Sequence, residues 1–334
     1  MTGPPFVALE MPALSPQARA ADMGGNGMTV VWISHAASEG HVTPEGHPER
    51  IERMAAVEAA LDGLPLERRY APMAADAEVL RCHPQSHLDR IRRAEPVEGI
   101  VGLDPDTWMS PGSFEAAMRA VGGTCAAVDL VLAGEASSAF VGCRPPGHHA
   151  EREKPMGFCL FGSVAIAARR ALDHHGLGRV AVVDFDVHHG NGTQDLLWDE
   201  GRALFVSSHQ MPLYPGTGAA DERGAHGQIL NLPLAPGSGS AEMREAWEAA
   251  FRRIEDWQPE LILISAGFDA HAADPLANLN WREEDFRWLT GRLCDLAAAS
   301  CGGRVVSTLE GGYDLAALAA SSAAHVGVLL ERSA

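Results

Sequence analysis

Short apolar runs alternate along this chain with longer stretches in which apolar and charged positions recur three or four residues apart. The runs TVVWI, SSAFVGC, RVAVVDF, ALFVSS, ELILISAG and RVVSTLE are β-branched and nearly all apolar, the pattern of strands covered on both faces. Between them, SFEAAMRAVGGTCAAVDLVLAG, GSVAIAARRALDHHG, SAEMREAWEAAFRRIEDW, EEDFRWLTGRLCDLAAAS and LAALAASSAAHVGVLLE read as helices. This alternation predicts an α/β fold: a doubly wound, mainly parallel sheet with helices on both faces. The turn-rich pieces YPGTGAADERGAHGQ and PLAPGSGS are too short to divide it, and no internal repeat is visible. Residues 28–334 therefore read as one domain, residues 1–27 as a loose Pro-, Ala- and Gly-rich extension, and Met28 as an available internal start.

Composition removes alternatives to this picture. Hydrophobic residues make up 46% and charged residues 21%, as in a globular chain with a large core. No apolar stretch approaches the roughly 20 residues that cross a bilayer, so no membrane association is expected. A formal charge of −18 with a single lysine, Lys154, argues against nucleic acid as partner. Such a negative field favours cationic ligands, lysine-rich peptides or polyamines, or it serves solubility alone. Six cysteines without a CxxC pair fit reduced thiols in a cytoplasmic setting.

Unusual polar residues gather where the strand-like runs end, the edge at which such sheets bind ligands. Asp184 and Asp186 follow VAVV, Asp269 follows LILISAGF, EGGYD follows RVVSTL and RPPGHHAE follows SSAFVGC. Ionised carboxylates are not left bare in an apolar interior, and a cation is their strongest partner. Residues two apart in extended chain point to one side, so Asp186 and His188 can reach one ion, with Asp184 on the same side and Asp269 arriving from another strand. Two carboxylates, one imidazole and an open position suit a catalytic Zn²⁺. The spacing alone equally allows a capped strand end or a polar network without metal. His148 and His149 follow a proline-stiffened RPPG and read either as an acid/base pair or as structural histidines. Phe158, in GFCLFGSVAIAA, reads as core packing or as a substrate wall.

The ordered motifs RPPGHHA, MGFCLFGSVAIAA, VDFDVHHGNGTQ, SSHQMPLYPGTG, ISAGFDAHAADPLANL and LEGGYD resemble the histone deacetylase family, particularly its class II-like and bacterial deacetylase-like branches. The resemblance runs from SHAASEGHVTPEGHPERIERM almost to the end of the chain and implies the arginase/deacetylase fold. It implies a zinc-dependent amidohydrolase with one Zn²⁺ per chain on Asp186, His188 and Asp269. His148, leaning on Asp184, and His149, leaning on Asn191, become its tandem acid/base pair. Asn191 follows the class II pattern, where other members carry Asp, and removes one negative charge. Tyr313 donates its hydroxyl to the substrate carbonyl, and Gly157, Phe158 and Tyr214 line the acyl-lysine tunnel, with Tyr214 standing where many members have Phe. Asp106 corresponds to a rim aspartate that grips the substrate backbone and Arg53 to the arginine of an inner acetate channel. A potassium ion is implied at Asp184, Asp186, His188, Ser207 and Ser208, partly through backbone carbonyls.

Leu276 occupies the position after the Asp-Pro pair where polyamine-preferring relatives place Glu. That favours acetylated lysine side chains, with cationic acetylamines and small acetamides as alternatives and oligomers allowed. Two further readings remain open: a binuclear ureohydrolase relative, which needs further ligands not apparent here, and a non-catalytic acyl-lysine binding protein, which would lack a ligand or the tyrosine.

Overall fold

The structure is a computed structural model that describes residues 29–333; the extension expected over 1–27 and the start at Met28 lie outside the described residues. The chain runs β1 (Val30–Ser34), α1 (Glu52–Ala60), β2 (Glu67–Tyr70), α2 (Asp76–Val79), α3 (Gln85–Ala94), β3 (Val101–Gly102), β4 (Trp108–Met109), α4 (Ser113–Leu132) and β5 (Ser138–Gly142). It continues through α5 (Ser163–Asp173), β6 (Val180–Asp184), α6 (Asn191–Leu197), β7 (Ala203–Gln210), β8 (Ile229–Leu234), α7 (Ser240–Trp257), β9 (Ile262–Ala266), α8 (Glu283–Cys301), β10 (Val305–Leu309) and α9 (Leu315–Arg332). Eight strands form one sheet in the order β2-β1-β5-β10-β9-β6-β7-β8, and every neighbouring pair is parallel. β3 and β4 make a separate antiparallel ribbon.

All six apolar runs became strands, and five of these, β1, β5, β6, β9 and β10, form the centre of the sheet together. Alternate side chains of each strand enter different cores. Val31, Ile33, Val180 and Val182 pack with residues of α4 and α5 on one face. On the other face Val30, Trp32, Ala181 and Val183 pack with residues of α1, α7, α8 and α9. The two edge strands escaped the apolar pattern. β2 is ERRY, half-buried and exposed in alternation, and β8 carries Pro233, which an edge strand tolerates because one side of its ladder is free.

A buried ionic cluster fastens the segment before α1 to the turn after β5. Glu49 accepts from both ends of the Arg144 guanidinium and, at 3.1 Å, from Arg53, and all three side chains are fully buried. Burial pushes the Glu49 carboxyl up, but Arg144 and His41 outweigh it and hold the group well below the usual carboxylate range. Arg144→Ala is expected to cost on the order of 3–5 kcal/mol, the penalty for stranding half of a buried pair. Urea unfolding checks this: a midpoint close to that of the parent would contradict it.

Candidate metal centre

Three loops at the carboxyl edge of the sheet are laced together through carboxylates. Beyond β6, Asp186 N donates to Asp184 Oδ1 at 3.0 Å and His188 N to Asp186 Oδ1 at 2.9 Å. Val187 N donates across to Asp269 Oδ1 at 2.8 Å, beyond β9, and Gly311 N, beyond β10, reaches Asp186 Oδ2 at 2.8 Å. These bonds aim Asp186, His188 and Asp269 at one point, with one ligand atom from each lying within 4.8 Å of the others. His188 Nδ1 is 3.1 Å from Asp186 Oδ1 and 3.1 Å from Asp269 Oδ2. Gly267 and Gly311 complete the floor. A Cβ on either would overlap the Asp186 carboxylate, and at Gly311 that of Asp269 as well, so the chain can pass only as glycine.

The electrostatics of this cluster call for positive charge. Burial and the neighbouring Asp186 charge push the Asp269 carboxyl up to about 7, against the pull of His188. Burial opposes charging of His188, but its bonds to Asp186 and Asp269 prevail and raise it to about 10. Two buried carboxylates and an imidazole converging in this way fit a divalent cation, which satisfies both carboxylates at once.

Paired imidazoles stand beside the cluster, with ring centroids 4.0 Å apart. His148 Nδ1 bonds Asp184 Oδ2 at 3.0 Å, and His149 Nδ1 bonds Asn191 Oδ1, at the start of α6, at 2.7 Å. Burial works against charge on His148, yet Asp186 and Asp184 hold its pKa well above the ordinary value. His149 is driven the other way by burial and by His148 and His188.

Asp106, His149, Gly157, Phe158, His188, Leu213, Tyr214, Leu276 and Tyr313 line a cavity of about 220 Å³. Phe158 takes a φ of +69°, rare for a non-glycine residue, and its ring stands edge-on to Tyr313 at 5.8 Å. Tyr214, 39% exposed at the mouth, sits edge-on to His149 at 5.3 Å. Asp106 is half-buried beside Asp104, and burial together with that carboxylate raises its pKa. A larger cavity of about 580 Å³, beside His35 and Arg68, involves none of these groups.

Tyr313 is held from two sides. Asp274 accepts from Tyr313 N at 2.8 Å and from Leu276 N at 3.0 Å, so one carboxylate ties the tyrosine to the cavity wall. Arg53 donates to Gly312 O at 2.7 Å and to Glu310 O, and its guanidinium lies 5.0 Å from the Tyr313 ring centroid. Burial and Asp269 keep the Tyr313 hydroxyl protonated against the opposing charge of Arg53.

Ser207 pairs in register with Asp184, and its Oγ bonds His209 Nδ1 at 3.0 Å. Ser208 Oγ is buried without a partner among the described residues. The sequence placed EGGYD at this edge but assigned no role to Glu310, whose carboxylate accepts from Gly147 N at 2.7 Å, His148 N at 3.2 Å and Ser265 Oγ at 3.2 Å. Burial lifts this carboxyl to about 7. The available signal was a carboxylate directly closing the apolar run RVVSTL.

The family model described as Histone deacetylase domain matches residues 47–329. The chain belongs to the histone deacetylase family. It is 38% identical over 308 residues to the histone deacetylase-like amidohydrolase of Pseudomonas aeruginosa, covering 90% of this chain and 78% of that protein. A probable deacetylase of Methanothermobacter thermautotrophicus is 38% identical over 304 residues, with 88% and 89% covered. The crystal structure of the HDA15 HD domain superposes with a TM-score of 0.87 at 32% identity over 91% of this chain and 89% of that one. The eight-stranded parallel sheet is thus the arginase/deacetylase fold, and this member of the histone deacetylase family is a hydrolase of the deacetylase type.

Proposed function

We propose that this chain is a Zn²⁺-dependent deacetylase of N-acetyl-lysine-like amines. The observation that carries the reading is the convergence of Asp186, His188 and Asp269 at the inner end of a cavity that Tyr313 and His149 also line. Zn²⁺ on these three residues would polarise an amide carbonyl and bring the pKa of water towards about 7. The chain's own groups do the rest. Gly157, Phe158 and Tyr214 bracket an extended alkyl arm, Asp106 accepts a donor at the rim, and Leu276 keeps that wall uncharged. Tyr313 donates its hydroxyl to the carbonyl oxygen as negative charge grows there. His148 and His149 carry protons from water to the departing amine, oriented by Asp184 and Asn191. Arg53 steadies the loop beneath Tyr313 and would stand beside an inward route for acetate. A K⁺ ion would be held by Asp184, Asp186, His188, Ser207 and Ser208, partly through backbone carbonyls, and the buried Ser208 hydroxyl, which has no partner among the described residues, supports this.

A competition panel tests the reading. With one Zn²⁺ per chain, an acetyl-lysine peptide should outcompete an acetylpolyamine and a small acetamide, and a hydroxamate should block all turnover. Preference for the acetylpolyamine would favour the cationic reading that the charge of −18 suggests. Zinc-loaded protein that leaves all three untouched would end the hydrolase assignment.

A further inference from the structure

Asn191 offers His149 a side chain with two chemically different ends, an oxygen that accepts and a nitrogen that donates. The oxygen end lies 2.7 Å from His149 Nδ1. The nitrogen end is engaged elsewhere: Nδ2 donates to Glu151 Oε1 at 2.7 Å and to Met156 Sδ at 3.4 Å. An ionised carboxylate only accepts, so turning the amide over would set Oδ1 against Glu151 and lose a charge-assisted bond. With Oδ1 facing His149, Nδ1 must carry the ring hydrogen, and Nε2 keeps its lone pair.

We infer that Glu151 is a positioning residue that locks the Asn191 amide and, through it, the Nδ1–H tautomer of His149, leaving Nε2 able to accept a proton at the start of each turnover. This rests on His149 being a proton carrier, as proposed above. The local backbone is built to hold the lock. Glu151 and Lys154 exchange backbone bonds at 3.0 and 3.3 Å, closing a tight turn. Arg152 N donates at 2.8 Å to Asp195 Oδ2 in α6, the helix that begins with Asn191. The turn that carries Glu151 and the helix that begins with Asn191 are therefore tied together at two points. The arrangement also places a negative charge that an aspartate at this position would bring against His149 one residue further out, on Glu151.

The inference predicts a reversal of sign between two backgrounds. Glu151→Gln can donate as well as accept, so either orientation of the amide becomes bonded. Its kcat should fall about 10–100-fold, the usual cost of losing an outer partner that fixes a histidine. KM should hold, because Glu151 does not line the cavity. Asn191→Asp alone should also lower kcat, since it sets two carboxylates face to face. In that background Glu151→Gln should restore activity, because the glutamine amide donates to the new carboxylate. A purely structural Glu151 would give losses that simply add. The second arm does not depend on turnover: in full-length protein labelled with ¹⁵N-histidine, the His149 ring should be Nδ1-protonated in the parent and mixed in Glu151→Gln. Additive losses, or a His149 signal unmoved by Glu151→Gln, overturn the inference. A parent that hydrolyses no acetylated amine overturns the deacetylase reading instead, and the ¹⁵N arm still decides the tautomer.

Discussion

Asp269→Ala is expected to abolish stabilisation of this protein by zinc while leaving its fold intact. Asp269 is the one proposed ligand that comes from outside the 184–188 segment, so the site exists only because β9 delivers it beside β6. Loss of outer partners already costs about 10–100-fold in metal affinity, so loss of a ligand should exceed about 100-fold. The readout is linkage: a ligand at a hundred times its Kd stabilises the folded state by about 2.7 kcal/mol, and that gain should vanish in the variant. The fold should survive because the substitution removes no member of either hydrophobic core and takes away a carboxylate that burial and Asp186 already make costly to ionise. Asp186→Ala and His188→Ala should behave likewise. Thermal unfolding with and without added Zn²⁺, paired with metal analysis, measures it. A zinc-induced rise in Tm as large as the parent's would refute the three-ligand assignment.

Tyr313→Phe should separate metal binding from chemistry. The ring remains, so its edge contact with Phe158 and its place over Arg53 are kept, and the backbone bond to Asp274 is untouched. Only a hydroxyl is lost. Burial and Asp269 hold that hydroxyl protonated throughout the neutral range, so the parent supplies a hydrogen-bond donor at every working pH. Removing one preorganised donor to a developing oxyanion typically costs about 10²–10³ in kcat, with substrate affinity little changed. Zinc content equal to the parent's, together with that loss, is the expected pair of results. Full activity in the variant would place the oxyanion donor elsewhere.

How much of this was legible in the sequence depended on whether a feature leaves a local trace. The central strands β1, β5, β6, β9 and β10 are covered on both faces, so their apolar runs announce them. The edge strands β2 and β8 pair on one side only, and ERRY or a strand containing Pro233 is indistinguishable from loop until a neighbour is in place. Asp184, Asp186 and His188 stood out because charges closing an apolar run need an explanation, and the structure supplies Asp269 across from them. Asp274 and Glu310 stayed hidden because they work by accepting backbone N–H groups from distant loops, Tyr313 in one case and His148 in the other. No spacing along a chain encodes such a bond. Asn191 was readable as a partner for His149, whereas the Glu151 contact that orients its amide emerges only from the turn closed by Lys154.

The glycines beneath the carboxylates leave the base of the site little room for change. At Gly267 and Gly311 an added Cβ would collide with Asp186, so a substitution at the base of this site should displace the carboxylates it holds. Substrate preference is therefore better altered from above, at the more exposed Tyr214 and Leu276, whose side chains lie clear of those glycines.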